Sequence, residues 1–394
     1  MVATANVADI IDDFLRASDP IPVPEQGARM TPDNPENPRS NVALPGSPEA
    51  GSPSGSLTDE ASPVELSPAA DVAHRLGERL RDAMLGRDEV VELVLVALLA
   101  DGHVLLEDYP GSGKTTLAKA LGAAIFDDQP DDQLPGFRRI QFTPDLLPSD
   151  VTGVMVFEPA TATFHFRRGP IFAHVVLADE INRTSPKVQA AMLEAMAEKQ
   201  VTVDDRTHPL DRLFFVIATQ NPLDLAGTYP LPLSQLDRFL FKIRMIPISR
   251  QAELEVLQSW RQRLEPPCSD LPRVGRGEVL AARERLRRGV RVSPLVQECL
   301  VDLAQALRQD RRVRQGVSTR SLVLALPALQ ARAMLHGRDY VSSEDVAALA
   351  PRIFAHRMEL APGAPEAEEV VRSCAAPTLE QLARRTRLGW RGAR

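Results

Sequence analysis

Residues 103–121 of the 394-residue chain read HVLLEDYPGSGKTTLAKAL: an apolar run, a glycine-containing loop and a helical run. Small residues let backbone N–H groups wrap phosphates, and the start of a helix adds partial positive charge. A lysine and a hydroxyl at the end of such a loop suit the β- and γ-phosphates and Mg²⁺. The strict phosphate-binding pattern begins with glycine, where this sequence has Asp108. The alternative interpretation is a glycine-rich turn with a surface lysine. The residues predicted to contact nucleotide are Asp108, Tyr109, Pro110, Gly111, Ser112, Gly113, Lys114, Thr115 and Thr116.

A second apolar run, VVLADE at residues 175–180, ends in two carboxylates. In open α/β sheets, ligands bind at the edge where the parallel strands end. We predict that Asp179, with the Thr115 hydroxyl, holds Mg²⁺, and that Glu180 polarises the attacking water. The alternative is an acidic pair favoured by the positive end of a helix.

A third apolar run, FVIATQNP at residues 215–222, ends in a polar pair. We predict that Asn221 hydrogen-bonds the γ-phosphate or the attacking water between the first and third of these strands. The alternative is that Asn-Pro only begins a turn.

Two arginines are candidates for contacts with phosphate. Arg238 lies at the end of a short helical string, LSQLDRF, where a surface ion pair is the alternative interpretation. Arg320 follows Ser318 at a predicted helix start, a position where a cation opposes the helix dipole, which suggests a nearby anion. The alternative for Arg320 is a solvated side chain. No Asn-Lys-x-Asp string for guanine recognition is present, which favours ATP over GTP.

The order of apolar and helical patterns indicates the fold class. From about residue 69, predicted strands alternate with helices, which favours an α/β fold with a parallel sheet covered on both faces. After residue 248 only helical patterns follow, at 251–264, 277–289, 294–308, 319–335 and 343–358. We therefore predict an α/β domain at 67–248 and a smaller all-α domain with a C-terminal tail at 249–394.

Residues 1–66 have a different composition. Residues 18–68 hold 11 of the 33 prolines, with many Ser and Gly, so this stretch buries too little apolar surface to offset its chain entropy. We predict a disordered arm, with one short amphipathic helix at 7–17 that is either a frayed end or a docking peptide.

Charge and cysteine content exclude several classes of protein. The net charge is −7, of which residues 1–68 carry −8, so the rest is near neutral at +1. This balance gives no support to nucleic-acid or membrane-surface binding. The three cysteines have no metal-binding spacing, no signal peptide is recognisable, and the longest apolar run, 93–100, is too short to span a membrane. We therefore expect a cytoplasmic protein with no nucleic-acid partner and no membrane insertion.

Five strings in order resemble the MoxR family of AAA+ ATPases. They are LLEDYPGSGKTTLAKAL at 105–121, RIQFTPDLLPSDVTG at 139–153, VVLADEINRTSPKVQAAMLEAM at 175–196, FVIATQNPLDLAGTYPLPLSQLDRF at 215–239 and GRDYVSSEDVAALAP at 337–351. The resemblance implies a five-stranded parallel sheet with a helical lid, ATP between them, and a hexameric ring with ATP at the junction of neighbours. It also implies hairpin insertions near 154–168 and 201–213.

The resemblance assigns a role to each candidate residue. Lys114 and Thr115 become Walker A contacts, Asp179 and Glu180 become Walker B, Asn221 and Arg320 the first and second sensors, Arg238 an arginine finger reaching a neighbour's ATP, and Met84, Leu85 and Gly86 the adenine contacts. Two departures stand out. Leu233 replaces the glutamate usual in the family, and Pro327 interrupts the predicted second-sensor helix, where proline removes a hydrogen bond and bends the axis.

The function implied is a Mg-ATP hydrolase whose ring motion remodels or matures a partner protein, for which the family suggests a von Willebrand factor A domain protein. One alternative is a chelatase-type motor subunit for metal insertion. Another is a nucleotide-gated adaptor with little turnover, which the presence of Glu180 argues against.

Overall fold

The structure is a computed structural model of the chain. It describes residues 65–107, 111–128, 134–222, 227–261 and 271–391. The predicted helix at 7–17 and the predicted disordered arm therefore lie outside the described residues, which begin at Glu65 near the end of the predicted 1–66 segment. Residues 108–110 of the phosphate-binding loop also lie outside them.

Five parallel strands form the central sheet, in the order β10-β1-β9-β6-β3. They are β1 Val104–Glu107, β3 Phe137–Gln141, β6 Val175–Asp179, β9 Phe215–Gln220 and β10 Phe241–Arg244. All five residues of β6 are buried, as expected for a strand covered on both faces. The predicted parallel α/β sheet is therefore confirmed, with strand ends within a few residues of those expected.

Two hydrophobic clusters cover the two faces of this sheet. Successive residues of β1 alternate between them, with Val104 and Leu106 in one cluster and Leu105 in the other. The first cluster continues into the helices that follow residue 248, through residues such as Leu303 and Leu329. One face of the sheet and the C-terminal helices thus share a core.

Helices and small hairpins surround the sheet. The helices are α1 Ser67–Ala83, α2 Asp88–Leu99, α3 Lys114–Ala124, α4 Pro148–Thr152, α5 Pro186–Glu198 and α6 Leu233–Leu236. The hairpins are β4 Gly153–Glu158 with β5 Thr163–Arg168, and β7 Gln200–Val203 with β8 Arg206–Pro209. Both hairpins occur close to the ranges where the family resemblance implied hairpin insertions. A side chain at Gly153 would place its Cβ 2.4 Å from the carbonyl oxygen of Arg167, and φ there is +104°, so the start of the first hairpin requires glycine.

The region after residue 248 is mostly helical, as predicted. Its helices are α7 Arg250–Gln258, α8 Arg276–Gly289, α9 Pro294–Gln309, α10 Thr319–Leu335, α11 Ser343–Phe354 and α12 Ala367–Arg391. A 3₁₀ turn, Ala355–Arg357, follows α11. The predicted helix 343–358 is thus an α-helix plus this turn.

Three features of this region differ from the purely helical prediction. Strands β2 Ile125–Phe126 and β11 Val274–Gly275 pair in parallel, and β12 Val313–Gln315 pairs with β13 Glu359–Leu360. These strands have two or three residues, too few to show alternation. Helix α12 was not predicted; it buries Val370, Val371, Ala375 and Leu382 against the core. The boundary predicted near residue 248 stays a prediction.

Serines at helix starts differ in whether their side chains cap the helix. Ser342 and Asp345 form a capping box at the start of α11. The hydroxyl of Ser318 accepts the N–H of Ser321 at 3.3 Å and so caps α10. Ser185 occupies the N-cap position of α5, but its side chain makes no capping bond. Helix α10 continues through Pro327 to Leu335.

A buried ion cluster links three of these helices. Asp101, just after α2, accepts the Lys199 ammonium at 2.6 and 2.7 Å and the Arg283 guanidinium at 2.5 Å. Arg283 on α8 is only 4% exposed. Burial alone would raise the pKa of Asp101, but the Arg283 and Lys199 cations lower it below its ordinary value. The cluster therefore stabilises the fold above the ordinary carboxyl pKa, and this stabilisation is lost as pH falls through the lowered value.

We expect Asp101→Asn to lower the free energy of unfolding by about 3 kcal/mol, because it leaves two partly or fully buried cations without a counter-charge. Asparagine also adopts the left-handed backbone that Asp101 has, with φ of +58°, so the change isolates the charge. Urea unfolding at pH 7 measures the loss. Asp205→Asn is the matched control, since Asp205 is also left-handed, with φ of +61°, but exposed. An equal effect of both substitutions would contradict the role of the cluster.

None of the helices in the described residues combines the length and the apolar character needed to span a membrane.

Candidate functional site

The described part of the phosphate-binding loop has the backbone that its glycines allow. Gly111 and Gly113 have φ of +91° and +95°, and α3 begins directly afterwards at Lys114. The carbonyl of Gly113 already accepts the N–H of Leu117, so the helix starts at the loop. The Ser112 hydroxyl is buried and has no hydrogen-bond partner among the described residues. A buried orphan hydroxyl at a helix start is a polar group that a bound anion would satisfy.

Lys114, Thr115 and Thr116 form the first turn of α3. This turn is the position required of the lysine and hydroxyl in a phosphate-binding loop. The structure does not describe Asp108, Tyr109 and Pro110, so their predicted contacts stay predictions.

The predicted adenine segment lies beside this loop. Met84 is buried at the end of α1, and a Cβ at Gly113 would lie 3.2 Å from its Cε. Leu85 is half-buried, and Gly86 lies against Ala252 at the start of α7. Met84 is therefore in contact with the loop, whereas Leu85 and Gly86 continue toward the C-terminal helices.

Asp179 ends β6 with both carboxylate oxygens engaged. Its Oδ1 accepts the Thr219 hydroxyl at 2.6 Å. Its Oδ2 accepts Nη2 and Nε of Arg139 at 2.6 and 3.0 Å. The side chain is 10% exposed, so this charge is held at the sheet edge by two neighbouring strands.

Glu180 follows with a left-handed backbone, φ +59°, which is uncommon for a residue other than glycine and is often found at functional sites. Its N–H donates to the Thr219 hydroxyl oxygen at 2.9 Å. Its Oε2 accepts Nε2 of Gln141 at 2.7 Å and lies 3.4 Å from Nε of Arg183. Thr219 therefore ties both carboxylate residues to β9.

Asn221 directly follows β9, which ends at Gln220. This strand pairs with β1 on one side and β6 on the other, with Gln220 opposite Glu107 and Ala218 opposite Ala178. The loop, the two carboxylates and Asn221 thus follow three adjacent strands at one edge of the sheet.

The two predicted arginines lie on other elements. Arg238 comes two residues after α6, which begins at Leu233, and its Nη1 donates to the carbonyl oxygen of Leu193 on α5 at 2.9 Å. The acceptor of this bond is a backbone carbonyl rather than a carboxylate. Arg320 is exposed in the first turn of α10.

Sequence reasoning did not identify three residues that hold the carboxylates: Thr219, Arg139 and Gln141. Thr219 was inside the quoted run 215–222, and the other two were inside the string at 139–153. Their role depends on the register of adjacent strands, in which Gln141 lies opposite Asp179. This register cannot be read from the sequence alone.

The chain is similar to known proteins over most of its length. The family model for ATPases associated with various cellular activities (AAA) matches residues 103–241, and the AAA lid domain matches residues 305–374. Uncharacterized protein YeaC of Bacillus subtilis is 48% identical over 75% of this chain and 90% of its own length. Chaperone MoxR1 of Mycobacterium tuberculosis is 35% identical over 79% of this chain and 82% of its own length. The crystal structure of a candidate ATPase from Cytophaga hutchinsonii superposes with a TM-score of 0.68 at 31% identity, covering 78% of this chain and 95% of that one.

Proposed function

Because this chain belongs to the MoxR family of AAA+ ATPases, we propose that it hydrolyses Mg-ATP and uses the cycle to remodel or mature a partner protein. One observation carries the proposal. The glycine loop, the Asp179–Glu180 pair and Asn221 follow three adjacent parallel strands at one edge of the sheet. Ligands bind at such an edge in α/β folds.

The residues at this edge fit a magnesium nucleotide. The buried Ser112 hydroxyl has no partner among the described residues, and the helix start behind it favours phosphate. Asp179 supplies carboxylate oxygens, which Mg²⁺ prefers, and its Oδ1 keeps a lone pair beyond the bond from Thr219. Thr115 and Asp179 would hold the metal, which when bound neutralises phosphate charge.

The remaining roles are assigned to side chains of this chain. Lys114 binds the β- and γ-phosphates. Glu180 takes the proton of the attacking water, and the Gln141 and Thr219 bonds orient it for this. Asn221 positions the water or the γ-phosphate. Arg320 contacts the nucleotide of its own subunit, and Met84, Leu85 and Gly86 enclose adenine.

We further propose that the active form is a homo-oligomeric ring, in which Arg238 of one subunit contacts the ATP of the next. A hexameric ring, a cytoplasmic location, a client of the von Willebrand factor A class and a division at residue 248 into nucleotide-binding and lid domains belong to the same proposal. The similarity to a protein named Chaperone MoxR1 supports a chaperone-like role.

Lys114→Ala tests the nucleotide site. We expect ATP affinity to fall about a hundredfold or more, because a hydrogen bond to a charged group contributes about 1.5–3 kcal/mol and Lys114 makes more than one. Isothermal titration calorimetry measures the affinity, and circular dichroism checks that the fold survives. Lys119→Ala is the matched control, since Lys119 is an exposed lysine on the same helix. Unchanged affinity in Lys114→Ala would show that this loop does not bind the phosphates.

A further inference from the structure

Arg357 is a buried arginine that the catalytic roles above do not use. It ends the 3₁₀ turn after α11 and is 3% exposed. Burial lowers its pKa to about 10, so the side chain is still a cation at neutral pH. A buried cation needs partners with good geometry, and these partners show what the residue holds.

Among the described residues, all but one of the hydrogen bonds of the Arg357 guanidinium go to the segment that begins at Asp237. Its Nε donates to Oδ1 of Asp237 at 2.8 Å. Its Nη2 donates to the carbonyl of Phe239 at 2.6 Å, and its Nη1 to that of Leu240 at 3.2 Å. A further bond goes to the carbonyl of Ile353 on α11. The segment from 237 to 240 includes Arg238.

Neighbouring groups reinforce this attachment. His356 donates from Nε2 to the same Phe239 carbonyl at 3.0 Å. From α10, the fully buried Ser321 donates its hydroxyl to Oδ1 of Asp237 at 3.2 Å. Asp237 therefore receives donors from two separate elements of the helical region.

The residues joined by these contacts adjoin the two predicted phosphate-binding arginines in the chain. Asp237 directly precedes Arg238, and Ser321 directly follows Arg320. The bonds thus join the backbone that carries one predicted phosphate-binding arginine to the helix that carries the other. A planar guanidinium that holds a carboxylate and two carbonyls fixes both distance and orientation.

We propose that Arg357 and Asp237 are positioning residues for Arg238, and that they make its placement depend on the helical region that carries Arg320. The inference rests on the proposed function, in which Arg320 contacts the nucleotide of its own subunit and Arg238 that of the neighbour. A shift of the helical region on binding or release of nucleotide then moves the arginine presented to the next subunit. The state of one site is thereby communicated to the adjacent one.

The test uses Arg357→Lys in the full-length chain. Lysine keeps the charge, but its compact ammonium cannot span the carboxylate and both carbonyls together. We expect ATP affinity within about twofold of the wild type. The ATPase rate of the assembled variant should fall by at least about tenfold, because Arg238 is misplaced while the subunit's own pocket is intact.

Mixed assemblies show which half of the site is damaged. With excess Lys114→Ala subunits, which supply an intact Arg238, the Arg357→Lys subunits should recover activity. With Arg238→Ala subunits, which need an arginine from their neighbour, the activity should stay low. The reverse pattern would place the defect in the pocket of the variant's own subunit and overturn the inference.

Two further variants complete the experiment. Asp237→Asn should give the same pattern and serves if Arg357→Lys does not fold. Arg352→Lys is the matched control: Arg352 lies on α11 and also binds two carboxylates, Glu368 and Glu89, but neither of these bonds goes to the 237–240 segment. It should behave as wild type.

A mixture of Arg238→Ala with Lys114→Ala reports on the underlying proposal. No recovery in confirmed mixed rings would reject the action of Arg238 on a neighbour, and this inference with it. Recovery there with the reverse pattern for Arg357→Lys would reject the inference alone.

Discussion

Glu180→Gln is expected to bind ATP with unchanged affinity and to hydrolyse it at least about a hundredfold more slowly, since general-base catalysis typically contributes about 10²–10⁴-fold. The substitution removes the basic oxygen but keeps the shape of the side chain. Its amide oxygen can still accept the Gln141 hydrogen bond, which is 2.7 Å long in the native site. The Asp179 carboxylate and the described loop residues are left as they are. Chemistry is therefore lost while binding is kept.

Steady-state phosphate release and calorimetric ATP binding, measured on the same preparation, separate the two effects. Glu194→Gln is the matched control, because Glu194 is an exposed glutamate on α5, the next α-helix after Glu180 in the chain. Its turnover should equal that of the wild type. Near-normal turnover in Glu180→Gln would mean that another group takes the proton of the attacking water. The same variant also discriminates a motor from a nucleotide-gated adaptor, since in an adaptor with little turnover the substitution would change almost nothing.

The parts of the fold that the sequence predicted are those with a strong local pattern. The run 175–180 is apolar at every position up to two carboxylates, and β6 is buried along its whole length. The glycine loop lies between a strand and a helix, and Lys114 begins that helix, as the residue types require. The strands β11 and β12 have no such pattern, because two or three residues cannot show a period.

Contacts between distant segments could not be predicted from one sequence. Thr219 and Asp179 are 40 positions apart, and their hydrogen bond exists because β9 and β6 are adjacent in the sheet. Arg357 lies 120 positions after Asp237 and was hidden in an ordinary helical pattern. Local sequence predicts which side chains carry chemistry, whereas the residues that hold them in place depend on tertiary structure.

Arg238→Ala is the second substitution with a large expected effect. In the described chain Arg238 donates to the carbonyl of Leu193, 2.9 Å away, so the side chain is tethered and half-buried rather than freely solvated. In a ring, a guanidinium that contacts a neighbour's transferring phosphoryl stabilises its charge, an effect of about 10³–10⁵ in rate in arginine-finger systems. We expect Arg238→Ala to bind ATP normally and to lose most of its turnover even when assembled. In the wild type, activity per subunit should rise with protein concentration as rings form.

Mixing two inactive variants tests whether Arg238 acts on a neighbour. Arg238→Ala subunits keep an intact pocket, and Lys114→Ala subunits keep an intact arginine, so a mixed ring contains complete sites at some junctions. Activity should therefore return when Arg238→Ala is mixed with excess Lys114→Ala. Arg288→Ala is the matched control, since Arg288 is an exposed arginine whose one ion pair among the described residues is with Glu284 on its own helix, and its activity should be normal. If mixed rings form and remain inactive, Arg238 does not act across the junction, and its bond to Leu193 then makes it a residue that fastens the segment after α6 to α5.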